Sequence, residues 1–107
     1  MSEAKGLLLV MADVDAAVEE EFHRWYEEEH LAERMAVPGF LTARRFRALE
    51  GTPKWLALYD LESPEVLQSA PYRHIVGAGK SPWTTRMEAQ FRNFKRNVYV
   101  SISERKR

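Results

Sequence analysis

Three histidines, a generous set of aromatic residues and a few arginines are the side chains best suited to chemistry on an organic molecule in this sequence. His30 follows Tyr26 by four positions in the segment Phe22-His23-Arg24-Trp25-Tyr26-Glu27-Glu28-Glu29-His30-Leu31. On a helix that spacing makes the two neighbours. A neutral imidazole takes a proton from a phenol or an activated carbon near pH 7, which a surface lysine or arginine cannot do, so His30 is the first candidate for a general base. The plainer reading is a half-exposed histidine that stabilises a helix C-terminus. His74 follows Tyr72 just ahead of Gly77-Ala78-Gly79-Lys80-Ser81-Pro82. That pair would bind or deprotonate a phenolic ligand beneath a glycine-rich lid. Its plainer reading is a packing tyrosine beside an exposed histidine. Arg45 suits an oxyanion, and Tyr26, Trp55, Tyr59, Trp83 and Tyr99 suit stacking on a flat ligand and orienting its oxygen. Most of the aromatic set, which also holds Trp25, Phe91 and Phe94, must nonetheless be core.

His23, Glu27 and His30 recur at i, i+4 and i+7, the ingredients of a divalent metal site. On so acidic a helix a solvated stripe accounts for them, and no metal is expected. Val18, Phe22, Trp25 and Ala36 share the face that should press on a sheet, with Glu29 in its middle. Its carboxylate either meets an arginine such as Arg45 or Arg47, or marks a local bend. No Gly-x-Gly-x-x-Gly turn, phosphate loop or Gly-x-Ser-x-Gly elbow occurs, which leaves nucleotide binding and serine hydrolysis without support. Cysteine is absent, which removes disulfides and thiolate sites. No cofactor is expected.

These side chains need elements to hold them. Leu7 to Met11 is a short continuous apolar run, the signature of a buried central strand. Asp15 is placed to cap a helix running to about Ala36, and Pro38-Gly39 must end it. Phe40 to Leu49 and Lys54 to Leu61 alternate as two strands of a hairpin, the inward side of the first being ambiguous. Ser63-Pro64-Glu65 starts a second helix, interrupted at Pro71, and a short helical turn follows around Trp83 to Met87. Phe91 to Ile102 closes the chain as a fourth strand, Phe94, Arg96, Val98, Val100 and Ile102 on one side. The order is βαββαβ, an α+β ferredoxin-like arrangement with helices on one face of a four-stranded antiparallel sheet. The other face needs a cover, and a second copy supplies one in a two-fold homodimer.

The 107 residues, 45% hydrophobic and 30% charged, suit a single domain spanning 1–107. Sixteen basic residues balance sixteen acidic ones, so no field gathers nucleic acid or anionic lipid. Neither partner is expected. The start lacks a secretory pattern, which makes the cytoplasm the simplest address.

The helix segment from Phe22 to Leu31, Val37-Pro38-Gly39-Phe40, Tyr59-Asp60-Leu61-Glu62-Ser63-Pro64 and Phe91-Arg92-Asn93-Phe94 together resemble the dimeric α/β-barrel superfamily. Within it they resemble the small proteins related to those named for ethyl tert-butyl ether degradation. The resemblance implies a pocket between helices and sheet for a hydrophobic or aromatic small molecule, and it matches His30 to the family histidine near the end of the first helix. It spans monooxygenases, isomerases, cyclases and haem-degrading enzymes. The expected function is therefore a small cofactor-independent enzyme acting on a cyclic or aromatic metabolite, of monooxygenase, isomerase, cyclase or lyase type. His30 would be base, His74 and Tyr72 secondary donors or contacts, and Arg45 the oxyanion partner. A non-catalytic small-molecule or haem-binding dimer, with His74 on the iron, is the alternative.

Overall fold

The computed structural model describes residues 4–107. Four strands, β1 (Gly6–Asp13), β2 (Phe40–Arg47), β3 (Trp55–Leu61) and β4 (Arg92–Val100), form one antiparallel sheet in the order β2-β3-β1-β4. The two most apolar strands, β1 and β3, take the middle. Their alternation divides the sheet into two faces. Leu8, Ala12, Ala57, Tyr59 and Leu61 are buried beneath the helices. On the opposite face Leu7, Leu9, Met11, Leu56 and Leu58 remain half-exposed.

The ambiguity of β2 has a local cause. Its pairing with β3 shifts register between Phe40 and Thr42, so one extra residue lets Phe40 and then Ala43, Arg45 and Arg47 point to the helical face. Immediately before it, Gly39 turns with φ +99°, and a Cβ there would meet Val66 Cγ2 at 2.4 Å. No other residue fits that corner.

Over the sheet, a 3₁₀ turn (Ala16–Val18), α1 (Glu19–Trp25), a π-helical turn (Tyr26–His30) and α2 (Leu31–Met35) follow one another without a break. Asp15 stands at the entry but makes no capping hydrogen bond. Its carboxylate is drawn instead into an ion pair with Arg92. Pro71 does not interrupt a helix. Pro64–Gln68 is a separate 3₁₀ turn, and α3 (Ala70–Val76) begins afresh with the Ser69 side chain accepting from the Tyr72 amide and Pro71 in the first turn, where its missing N–H costs nothing. Last comes α4 (Pro82–Glu88), capped in the same way by Ser81. The βαββαβ order with helices on one face is the ferredoxin-like fold.

Candidate functional site

A regular helix advances about 100° per residue, which would put Glu29 and Glu33 over the sheet and Arg34 well away from it. The structure does otherwise: His30 and Arg34 are buried, with 6% and 8% exposure. The cause is the π turn. There the Leu31 amide donates to the Tyr26 carbonyl, an i to i−5 bond, and the extra residue rotates everything beyond it by about one residue's angle. His30 and Arg34 thus take the inward positions that Glu29 and Glu33 would have held.

Glu29, displaced sideways, meets α4 rather than an arginine. Its Oε2 accepts from Ser81 Oγ at 2.7 Å and from Thr84 Oγ1 at 3.2 Å, and Thr84 Oγ1 accepts from Trp25 Nε1 at 3.1 Å. The bend is thereby pinned from outside the helix. Beside it the His30 ring lies 4.2 Å from that of Trp25, tilted by 30°, and 5.1 Å edge-on from that of Tyr26.

Beneath this turn is a cavity of about 240 Å³. Trp25, Tyr26, His30 and Arg34 form one wall, Tyr72 and Val76 of α3 the other. Leu8, Val10, Tyr59, Phe94 and Arg96 of the sheet make the floor. Glu88 and Phe91 stand at the end where a wider depression of about 420 Å³ continues past Phe94.

The chemistry inside is set by desolvation. Burial holds His30 well below the usual histidine range, and the Arg34 and Arg45 charges push in the same direction, so the ring is neutral at pH 7. Its Nδ1 has no hydrogen-bond partner among the described residues. Burial likewise pushes the Tyr26 phenol up to about 12 and the Tyr59 phenol higher still. Both remain protonated donors. The Tyr59 hydroxyl lies beside that of Tyr26 without an aligned hydrogen bond. Arg96 donates to the Tyr72 hydroxyl at 3.1 Å, while the Arg34 guanidinium sits 5.6 Å from the centre of the same ring.

Of the residues singled out in the sequence, Tyr26, His30, Tyr59 and Tyr72 meet around this cavity. The others do not. His74 is exposed on the outer side of α3, with its Nε2 against Gly79; two residues, about 200° of helix, separate it from the buried Tyr72. The segment 77–82 is held by amide bonds from Gly79 to the His74 carbonyl and from Lys80 to the Gly77 carbonyl, a turn beside α3 rather than a cover over the cavity. Arg45 lies behind Tyr26, 4.4 Å over its ring, and pairs with Glu27 and His23. Trp55 packs on His23 and Phe22. Trp83 ties α4 to α1 through Glu21. Tyr99 lies on the helix-free face beside Asn97. Because the π turn sends His30 inward while Glu27 stays exposed, His23, Glu27 and His30 do not share a stripe. Among the described residues no three His, Asp or Glu side chains converge as for a metal, and no helix is long and apolar enough to cross a membrane.

Arg34 and Arg96 were not put forward from the sequence as site residues. A signal for Arg96 exists, a charge within the apolar alternation Phe94, Val98, Val100. Arg34 gives none, because only the bulge brings it in.

The model of a family described as a domain of unknown function, DUF4286, matches residues 6–76. No curated protein matches. Among solved structures the chain is similar to a dimeric ferredoxin-like protein from an uncultured marine organism, at 18% identity and TM-score 0.75, covering 98% of this chain and 94% of that one. It is similar to SnoaB, a cofactor-independent oxygenase from Streptomyces nogalater, at 15% identity and TM-score 0.72, with 95% and 97% covered. It is also similar to the haem-degrader MhuD of Mycobacterium tuberculosis, at 18% identity and TM-score 0.68, with 94% and 99% covered. These likenesses show the ferredoxin-like fold, and none of the three bears the ethyl tert-butyl ether degradation name.

Proposed function

As a member of DUF4286, the family of domains of unknown function to which this chain belongs, the protein inherits no reaction, and we propose one from its cavity: proton abstraction from an aromatic metabolite followed by addition of oxygen, without an organic cofactor. The observation that carries the reading is a neutral, buried histidine with an unpaired Nδ1 in the wall of an aromatic cavity. The cofactor-independent oxygenase among the similar structures supports the reaction type.

His30 is the base. It takes a proton from an activated ring CH₂, and the resulting carbanion, delocalised over the ring system, adds O₂ to form a peroxide anion. Returning the His30 proton gives the hydroperoxide, which loses water to leave a carbonyl. The substrate's two hydrogens leave as water with one oxygen atom, and the other oxygen stays on carbon. Tyr72, whose oxygen accepts from Arg96, has its own proton free for the developing oxyanion, as do the phenols of Tyr26 and Tyr59.

The working unit in this reading is a cytoplasmic homodimer. The half-exposed Leu7, Leu9, Met11, Leu56 and Leu58 form an apolar surface that a second sheet would hide. Haem held by His74 does not fit the residues present, because His74 is exposed on the outer side of α3 and turned away from the cavity.

Oxygen uptake and product mass with a panel of electron-rich polycyclic ketones and phenols test the reaction. His30→Gln should lower kcat by about 10² to 10⁴, the usual contribution of a positioned base, and leave binding within a few-fold. Unchanged turnover in His30→Gln would overturn it. Tight binding without turnover by the wild type would make the protein a sequestering one.

A further inference from the structure

Arg34 is 8% exposed, permanently charged, and pairs with no carboxylate among the described residues. Its guanidinium lies over the face of Tyr72, and the nearby Glu33 carboxyl feels its charge without a direct ion pair. Tyr72 in turn accepts from Arg96, so two guanidinium groups flank one phenol, one over its ring and one at its oxygen. The only carboxylate lining the cavity among the described residues is Glu88, which Lys80 Nζ holds at 2.7 Å. Glu88 is thus already matched by Lys80, and Arg34 and Arg96 are the charges left facing the cavity. A guanidinium buried without a direct ion pair is costly to the fold, and the cavity it lines leaves room for a ligand to supply one.

We propose that the natural ligand is an aromatic carboxylate, its carboxylate bound by Arg34 with Arg96 beside it and its ring lying among Tyr26, Tyr59 and Phe91. This rests on the reading of the cavity as an aromatic-ligand site and adds the class of ligand. The planar carboxylate suits the guanidinium fork. Arg34 and His30 are four residues apart, roughly 5–6 Å between Cβ atoms on one helix face. A molecule anchored at Arg34 thus offers His30 a ring position across from its carboxylate rather than next to it.

Isothermal titration of the purified full-length protein with 6-hydroxy-2-naphthoate and with its primary amide tests the proposal. The acid should bind roughly ten- to a hundredfold more tightly than the amide, the range expected of charge-assisted hydrogen bonds in a dry site. Arg34→Gln should abolish that preference while leaving the amide's affinity within a few-fold, and Arg34→Lys should retain part of it. The acid-to-amide ratio is taken within each protein, so a loss of stability does not imitate the result. Should Arg34→Gln not fold, the wild-type ratio and that of Arg34→Lys decide the matter. Equal affinity for acid and amide, or a preference that survives Arg34→Gln, overturns the carboxylate proposal and leaves the aromatic cavity standing. Failure of the acid, the amide and 2-naphthol alike to bind removes the cavity reading itself, and the carboxylate with it.

Discussion

If His30 is held neutral by burial, folding must weaken as the solution turns acidic. In the unfolded chain the ring takes up a proton near pH 6.5, whereas in the folded protein its affinity for that proton lies well below this value. The group's folded pKa is depressed and the charged form is disfavoured, so stability is full above pH 6.5 and is lost as pH falls below it. Each pH unit costs about 1.4 kcal/mol until the folded value is reached. Between pH 7.5 and 5.5 the expected loss is about 1.4 kcal/mol. Carboxylates scarcely enter that window. Asp13, Glu21 and Glu65 are shifted down from reference values of 3.8, 4.5 and 4.5, and their contributions disappear only in stronger acid. His23, lowered chiefly by burial and then by Arg45, and Glu33, raised by burial, act alike in wild type and variant. Urea unfolding at fixed protein concentration, at pH 7.5, 6.5 and 5.5, should therefore show wild type losing about 1.4 kcal/mol more than His30→Gln. Equal losses would mean that folding does not suppress protonation of His30, and its role as a neutral base would be refuted.

Tyr59→Phe removes a buried hydroxyl that has no aligned partner, and should raise stability by up to about 1 kcal/mol in thermal or urea unfolding. A loss of similar size would show that the hydroxyl is satisfied. Thr84→Val deletes the oxygen that accepts from Trp25 and donates to Glu29, leaving a buried indole N–H unpaired; a loss of about 2–3 kcal/mol is expected in the same assay, and a change under 0.5 kcal/mol would show that α4 does not pin the bend. Leu9→Arg or Leu58→Glu, both on the helix-free face of the sheet, should turn a dimer into a monomer by light scattering with the far-ultraviolet dichroism preserved. A wild-type monomer at micromolar concentration, or variants that stay dimeric, would contradict the stacking of bare sheets.

The fold was legible because its strands carry their own period. Leu7 to Met11 reads as a buried strand by composition, and the β2-β3 hairpin by alternation across a turn. Local backbone irregularities hid the rest. A bulge at the start of β2 reverses a strand's faces with no mark in the sequence beyond the preceding Val37-Pro38-Gly39 turn. Pro71 reads as a break when a serine cap two residues earlier makes it a beginning. Above all, the π turn rotates His30 and Arg34 inward. Glu29 on the apolar face was the visible symptom, since an acid in that place demands either a cation or a bend, and the chain uses the bend. Arg45 stands outside this cavity because Glu27 and His23 hold it behind Tyr26. His74 stands apart from the cavity because two residues, about 200° of helix, carry it to the face opposite the buried Tyr72.

A crystal structure of the protein soaked with a hydroxylated aromatic carboxylate tests the central claim most directly. The ring should occupy the space between Tyr26, Tyr59 and Phe91, with an oxygen or the reacting carbon within roughly 2.6–3.2 Å of a His30 nitrogen. A ligand bound elsewhere, or the same space filled by side chains with His30 hydrogen-bonded to the protein, would contradict it.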